Sequence, residues 1–128
     1  SNEDITTFYG ALNVMSKKII QRIPKARIIY LTPNYAETES NISSQGWENA
    51  WTNSNGNTIY DFAKAIKDVA SWWGFPCVDI CGEWGINHYN CTPYFSKNEP
   101  TKHHHPTSEG GKIMADLIYA KLVLLSNL

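Results

Sequence analysis

Two short apolar runs without polar alternation constrain the fold of this chain more than any other feature of its sequence. Residues 26–32 read Ala-Arg-Ile-Ile-Tyr-Leu-Thr and end at Pro33, and residues 75–80 read Phe-Pro-Cys-Val-Asp-Ile. Such runs are typical of strands that are buried on both faces, as in parallel sheets. A helix is predicted between them, over residues 58–73. The sequence therefore predicts a right-handed β-α-β unit with two parallel strands.

The connecting helix has clear start and stop signals. Thr58 and Asp61 fit a capping box with Asp in place of Glu, and Gly74 follows as the C-terminal stop. Its apolar stripe consists of Ile59, Phe62, Ile66, Val69 and Trp73. Asp79 lies near the carboxyl end of the second strand, the edge at which open α/β sheets bind ligands. A catalytic role is one interpretation of this carboxylate, and capping of the turn is the simpler one.

Two further helices flank this unit, over residues 5–23 and about 109–124. Their apolar residues recur at steps of three and four. The stripes are Phe8, Leu12, Met15, Ile19 and Ile23 in the first helix, and Ile113, Leu117, Ala120 and Leu124, widened by Met114, Ile118 and Leu122, in the last. The fold class is therefore α/β. Two strands leave open edges and too little sheet for three helices, so a short strand lies hidden in a loop or neighbouring strands come from elsewhere.

Length and charge exclude several classes of function. The 128 residues suit one domain, residues 1–128, and the net charge of −1 does not indicate a nucleic-acid partner. No apolar run is long enough to span a bilayer. We expect no cofactor and no metal. We recognise no signal-peptide pattern in these residues, and Ser1-Asn2 fits a scar of tag cleavage, so the natural N-terminus need not be included. The compartment therefore stays open, secretion or the periplasm included.

The cysteines give no disulfide framework, because three of them, Cys77, Cys81 and Cys91, are an odd and small number. A Cys77–Cys81 or a Cys81–Cys91 pair could form, and the sequence does not choose between them. Cys81 could also act as a nucleophile beside a histidine. No sequence feature lowers the pKa of its thiol, which favours a structural or free thiol.

A long polar segment, residues 34–57, contains Trp47 and Trp51. Loops of this length inside a compact domain tend to be functional. One helical turn would show both indoles on one face. They anchor the loop to the body in the simpler interpretation, and they form the wall of an acyl or sugar pocket in the functional one.

A histidine cluster, His103-His104-His105, ends a second polar loop and is followed at once by Pro106 and the last helix. Ser108 is the predicted N-cap of that helix, with Glu109 in its first turn. His105 would thus lie on a stiff loop beside a helix start, a suitable place for a general base. Zinc binding by the cluster is a weaker interpretation, because structural zinc sites use spaced ligands.

The order and spacing of several motifs resemble the SGNH (GDSL-type) ester hydrolases. The C-terminal match is His105-Pro106, a glycine at position 110 and Met114-Ala115 in a helix, as in the last sequence block of that family. Upstream, the matching pieces are Val78-Asp79-Ile80, Gly85-Ile86-Asn87, Asn90, Tyr94-Phe95, residues 7–12, residues 26–33 and Asn55-Gly56. The resemblance covers nearly the whole chain but only the C-terminal half of the family's domain. It implies a flavodoxin-like three-layer αβα fold with parallel strands, whose N-terminal strands are missing here.

The resemblance also implies that His105 is the catalytic base, which takes a proton from a serine and returns it to the leaving alcohol. The family's Gly-Asp-Ser block does not occur in this sequence, and neither does its Gly-x-Asn-Asp. Many members have an acid three residues before the histidine, where this chain has Lys102. An ammonium group cannot accept the imidazole N–H bond. A backbone carbonyl or Glu99 would then orient His105, or the site is degenerate.

The resemblance therefore implies an ester hydrolase of the lipase or acetylesterase kind. This chain would supply its histidine and would be inactive alone. Candidate substrate-binding residues are Trp47, Trp51, Asn87 and His104. The expected partners are a small-molecule or carbohydrate ester and either a second copy at the open sheet edge or the missing N-terminal half. The alternative is a non-catalytic ligand-binding or interaction module derived from the same fold.

Overall fold

The computed structural model of the chain describes residues 2–38, 53–96, 102–103 and 105–126. Within these residues the elements follow in the order α1 (Phe8–Arg22), β1 (Tyr30–Leu31), β2 (Glu37–Thr38), α2 (Ile59–Trp73), β3 (Cys77–Val78), α3 (Ile80–Glu83), β4 (Lys102–His103) and α4 (Ser108–Ser126). A short 3-10 turn at Thr92–Tyr94 lies between α3 and β4. The chain is thus a mixture of helix and sheet, as predicted.

β1 and β3 form the predicted parallel pair, with Leu31 opposite Val78. The amide groups of Tyr30 and Thr32 donate to the carbonyl oxygens of Pro76 and Val78 at 2.9 and 3.0 Å. The β-α-β unit is therefore confirmed. Both strands are shorter than predicted, because the described residues pair β1 on one side only and no third strand extends the ladder.

α2 joins these strands, and both of its end signals are realised. Thr58 and Asp61 form the predicted capping box, and Gly74 ends the helix with a φ of 68°. This left-handed conformation is accessible to glycine without steric cost. The buried face of α2 consists of Ala63, Ala65, Ile66, Val69 and Ala70.

Two apolar clusters lie on opposite faces of β1, because successive side chains of a strand alternate between faces. Tyr30 belongs to the cluster that contains Ile66 of α2 and contacts Leu12 of α1. Ile29 packs against the other cluster, which includes Val78, Trp84 and Phe95 and is covered by α4 through Ile113, Met114, Leu117 and Ile118. Helices therefore pack on both faces of the pair, whereas the complete flavodoxin-like sheet stays a prediction.

The predicted apolar stripes of α1 and α4 are only partly buried. Phe8, Met15 and Ile23 are 40, 44 and 57% exposed, and Leu122 and Leu124 of α4 are 46 and 65% exposed. This partial burial agrees with the prediction that two strands offer too little sheet for three helices. No helix in the described ranges is long and apolar enough to cross a membrane.

The hidden strand that we considered exists, but it does not widen the parallel sheet. β2 and β4 form a separate antiparallel ladder, with Glu37 opposite His103 and Thr38 opposite Lys102. β2 follows the carboxyl end of β1 and β4 directly precedes the loop of His105. The ladder therefore brings the histidine loop to the carboxyl side of the parallel pair.

Candidate functional site

The backbone of the His105 loop is fixed on both sides. The amide of Ser96 donates to the carbonyl oxygen of His105 at 2.9 Å, and the amide of Thr107 donates to the carbonyl oxygen of Tyr94 at 2.8 Å. Pro106 forms an isolated antiparallel bridge between these two hydrogen bonds. His105 itself is exposed. The loop therefore presents an accessible imidazole from an anchored backbone.

Thr107, and not the predicted Ser108, caps α4. Its Oγ1 accepts a hydrogen bond from the amide of Gly110 at 3.3 Å. A Cβ atom on Gly110 would lie 2.6 Å from the carbonyl oxygen of Tyr94. That distance is well inside van der Waals contact, so glycine at this position allows α4 to start against the backbone that anchors His105.

One polar network joins the carboxyl ends of β1 and β3. Thr32 Oγ1 donates to Asp79 Oδ1 at 3.1 Å and accepts from the amide of Cys81 at 2.9 Å. Asp79 Oδ1 also accepts from the amide of Gly82 at 3.1 Å, and Asp79 Oδ2 binds Lys67 Nζ at 2.5 Å. Asp79 therefore caps the turn into α3, the simpler of the two predicted roles, and forms an ion pair.

Lys67 is the residue of this network that sequence analysis missed. It lies on α2 at spacings of four and seven from Ala63 and Tyr60, which places all three on one side of the helix. A lysine in that row, close to the apolar stripe, was the available signal. The spacing of residues along α2 could not show that its partner is Asp79, which lies directly after the end of β3.

The ion pair sets the charge states of its two members. Burial alone would raise the pKa of Asp79, but the bonds from Lys67, Gly82 and Thr32 together hold that pKa below its ordinary value of 3.8. The hydrogen bond to Asp79 raises the pKa of Lys67, and partial burial opposes it. Both groups are therefore charged at neutral pH.

The surroundings of Cys77 and Cys81 disfavour the thiolate form that a nucleophile requires. Burial, reinforced by the charge of Asp79, raises the pKa of the Cys81 thiol to about 11. Burial also raises the pKa of Cys77. A neutral thiol is a poor nucleophile, which favours the structural interpretation of Cys81. Cys77, Cys81 and Cys91 form no disulfide with one another, so neither of the two disulfides that we considered is present in this structure.

A cavity of about 640 Å³ opens beside this network. Its wall is formed by α2, by the turn after β3 and by the loop that contains Asn87. The lining residues are Tyr35, Tyr60, Ala63, Lys67, Asp79, Cys81, Gly82, Gly85, Ile86, Asn87, His88 and Tyr89. The cavity thus contains one predicted substrate-binding residue, Asn87, and does not include His105. Tyr35 links the two regions, because it packs in the same cluster as Phe95, next to the His105 anchor.

The other predicted site residues, Trp47, Trp51 and His104, lie outside the described residues, as does Glu99. Lys102 contributes its backbone to β4. In the described part of the chain, no group of three or more histidine, cysteine or acidic side chains is placed to hold a metal ion. The structure therefore brings Asn87 to a cavity and His105 to an anchored loop.

Comparisons with known proteins give similar folds and no family. No protein-family model and no curated protein matches the chain. A solved structure of a protein from Lactobacillus plantarum is similar over 94% of this chain and 55% of its own, with 21% identity and a TM-score of 0.74. Another solved structure matches over 95% of this chain and 54% of its own, with 22% identity and a TM-score of 0.71.

A third similar structure, described as a possible lipase from Chitinophaga pinensis, has 19% identity and a TM-score of 0.66. It matches over 94% of this chain and 62% of its own. This chain thus spans little more than half the length of the first two structures and under two thirds of the third. At these identities the likeness shows a shared fold.

Proposed function

We propose that this chain supplies the general base of a Ser-His ester hydrolase and that His105 is that base. The observation that carries the proposal is an exposed histidine on an anchored loop at the carboxyl side of a parallel strand pair. This is the side at which open α/β sheets bind their ligands. A fold shared with a chain described as a possible lipase supports the same class of reaction.

In this reaction a serine hydroxyl attacks the ester carbonyl carbon while the imidazole of His105 accepts the hydroxyl proton. The imidazole then returns that proton to the oxygen of the leaving alcohol as the tetrahedral intermediate collapses to an acyl-serine. A water molecule then attacks the acyl-serine while His105 accepts its proton, and His105 returns that proton to the serine oxygen as the acid leaves. The backbone hydrogen bonds of Ser96 and Thr107 hold the main chain from which this imidazole extends. With Lys102 at the usual acid position, a backbone carbonyl or Glu99 orients the ring.

The serine and the oxyanion donors would come from polypeptide that extends the sheet beyond β1. The peptide groups of Ile29 and Leu31 point away from β3, and no described strand pairs with them. Leu31 and Met15 of α1 are 38 and 44% exposed. Solved chains of this fold continue well beyond the matched part. A parallel strand with an apolar helix partner fits this edge, and a second copy of the chain is the competing occupant.

Hydrolysis of p-nitrophenyl acetate by the full-length gene product tests the proposal. We expect turnover, with kcat about 10³-fold lower in His105→Ala, because a positioned base contributes on this scale. The matched control is His103→Ala, two residues away, which should keep its activity. The 128-residue chain alone should be inactive. An equal loss in both variants, or no turnover of acetyl and longer acyl esters, would contradict the assignment.

A ligand-binding module without catalysis is the second candidate. The observations in its favour are Lys102 at the position of the usual acid and a cavity that does not include His105. It predicts no ester turnover by the full-length protein, together with ligand binding that His105→Ala leaves unchanged. Those two measurements separate the candidates.

A further inference from the structure

We propose that the cavity beside the Lys67–Asp79 ion pair binds a polyhydroxylated ligand, namely the sugar part of the ester substrate. The assignment to an ester rests on the proposed function, whereas the binding of the sugar does not. Its basis is the juxtaposition of an ion pair, a side-chain amide and an exposed aromatic ring around one opening. The cavity volume of about 640 Å³ is within the usual range for small-molecule sites.

The polar groups of the cavity favour hydroxyl groups over an acyl chain. Lys67 Nζ has three N–H donors, and Asp79 is its one partner among the described residues. Asn87 Oδ1 accepts a hydrogen bond from the amide of Tyr89 at 3.0 Å, and its two Nδ2 donors make no hydrogen bond to the described residues. An acyl chain would remove water from these groups without replacing its hydrogen bonds, at a cost in free energy. A polyol supplies both donors and acceptors.

The aromatic groups of the cavity suit the apolar faces of a sugar ring. Tyr89 is 79% exposed at the cavity wall, an unfavourable position for a ring that serves only packing. His88 contacts it edge to face, with ring centroids 5.2 Å apart. The side chain of Asn90 holds the loop that contains Tyr89. Its Oδ1 accepts a hydrogen bond from the amide of Asn87 at 2.8 Å, and its Nδ2 donates one to the carbonyl oxygen of Gly85 at 2.8 Å. Tyr89 is therefore presented on an anchored loop.

The charge of the cavity favours a neutral ligand. The positive charge of Lys67 is compensated by Asp79 at 2.5 Å, and the cavity lining has no further lysine, arginine, aspartate or glutamate among the described residues. A phosphorylated ligand would meet Asp79 without an unpaired cation to balance it. A neutral sugar meets no such repulsion.

Calorimetric titration with xylobiose, cellobiose and N,N′-diacetylchitobiose tests the inference, with octanoate as the apolar probe. We expect at least one disaccharide to bind with a Kd of about 1 mM, and octanoate not to bind. Lys67→Met and Asn87→Ala should each weaken binding about tenfold, because each removes a hydrogen bond to the sugar. The matched control is Lys64→Met, which breaks the Lys64–Asp68 ion pair one turn away on α2 and should bind normally.

Binding of octanoate alone, binding of none of the probes, or sugar binding that survives both cavity variants would each overturn the inference. Asn87→Ala keeps the test decisive if Lys67→Met does not fold, because Asn87 lies outside the ion pair. The disaccharides carry no ester, so this titration is independent of the esterase assay on His105→Ala. Failure of the cavity assignment and failure of the proposed function therefore give different results.

Discussion

α2 and α4 are both helices with a regular apolar stripe, yet they are buried to very different extents. α2 buries five residues along its length, including Val69 with 0% exposure. In α4 the first half packs on the core, while Tyr119, Leu122 and Leu124 are 70, 46 and 65% exposed. α2 connects two paired strands and has sheet beneath it, whereas α4 extends past the edge of a two-stranded sheet. Periodicity predicts which face of a helix is apolar, and the width of the sheet decides whether that face is covered.

The largest expected effect separates the two helices directly. Val69→Asp places an unpaired charge in the closed core and should lower the free energy of unfolding by about 4 kcal/mol or more. Leu124→Asp, on the exposed end of α4, should change it by no more than about 0.5 kcal/mol. Urea denaturation followed by circular dichroism measures both. Similar losses in the two variants would mean that the end of α4 is covered in solution.

The buried start of α4 should be sensitive where its exposed part is not. Gly110→Ala forces a Cβ atom to within 2.6 Å of the carbonyl oxygen of Tyr94 and should cost about 3 kcal/mol. Gly111→Ala, the next residue, meets nothing within 4 Å and should stabilise the helix by up to about 1 kcal/mol. Opposite signs of the two changes in thermal unfolding are the expected result. A neutral Gly110→Ala variant would show that the His105 anchor is loose.

The ion pairs that involve α2 and α4 should also contribute differently to stability, because the first is partly buried and the second is exposed. Asp79→Asn keeps an Oδ1 acceptor for Thr32 and Gly82 but replaces the carboxylate oxygen that binds Lys67 with an NH2 donor. The loss of this charge-assisted hydrogen bond should cost about 2 kcal/mol at pH 7. The Lys112–Asp116 pair on α4 is exposed, with side chains 73 and 67% accessible, so Asp116→Asn should have little effect.

The pH dependence of the Asp79 variant follows from the lowered pKa of that carboxyl. The stabilisation is fully present above the unfolded value near 3.8 and is lost as pH falls through the lower folded-state pKa. The stability advantage of the wild type over Asp79→Asn should therefore shrink below about pH 4. An advantage that is constant down to pH 2 would contradict the assignment.

The reactivity of Cys81 provides a chemical test of how well the core is closed around the strand ends. Cys81 lies in α3, directly after β3, with a thiol pKa of about 11. Its alkylation by iodoacetamide at pH 7 should therefore be about 100-fold slower than that of an ordinary exposed thiol. The measurement uses a Cys77→Ser/Cys91→Ser background and compares the folded with the urea-unfolded chain. Fast labelling of the folded chain would reopen the nucleophile interpretation.

Local signals in the sequence were sufficient for much of the β-α-β unit. The capping box at Thr58, the stop at Gly74 and the parallel pairing of the two apolar runs are all confirmed. Each depends on residues close in sequence or on a handedness rule that few folds break. The sequence also indicated the start of α4 to within one residue, although the cap proved to be Thr107.

Local sequence signals predicted less of the candidate site than of the fold. Asn87 could be named in advance, but its cavity needs Lys67 from α2 and Asp79 from the turn after β3, which meet only when the strands pair. The reason for glycine at position 110 also lies in a contact between distant segments, at the carbonyl oxygen of Tyr94. Contacts of this kind have no periodic signature.

The sequence by itself determined the three long helices, the two parallel strands, their order and the histidine that a base would require, because propensities, caps and apolar spacing act over a few residues. Tertiary structure decided which apolar faces are covered, which carboxylate is paired and where the cavity opens. It decided them because burial and charge pairing depend on the width of the sheet and on which strand ends lie side by side.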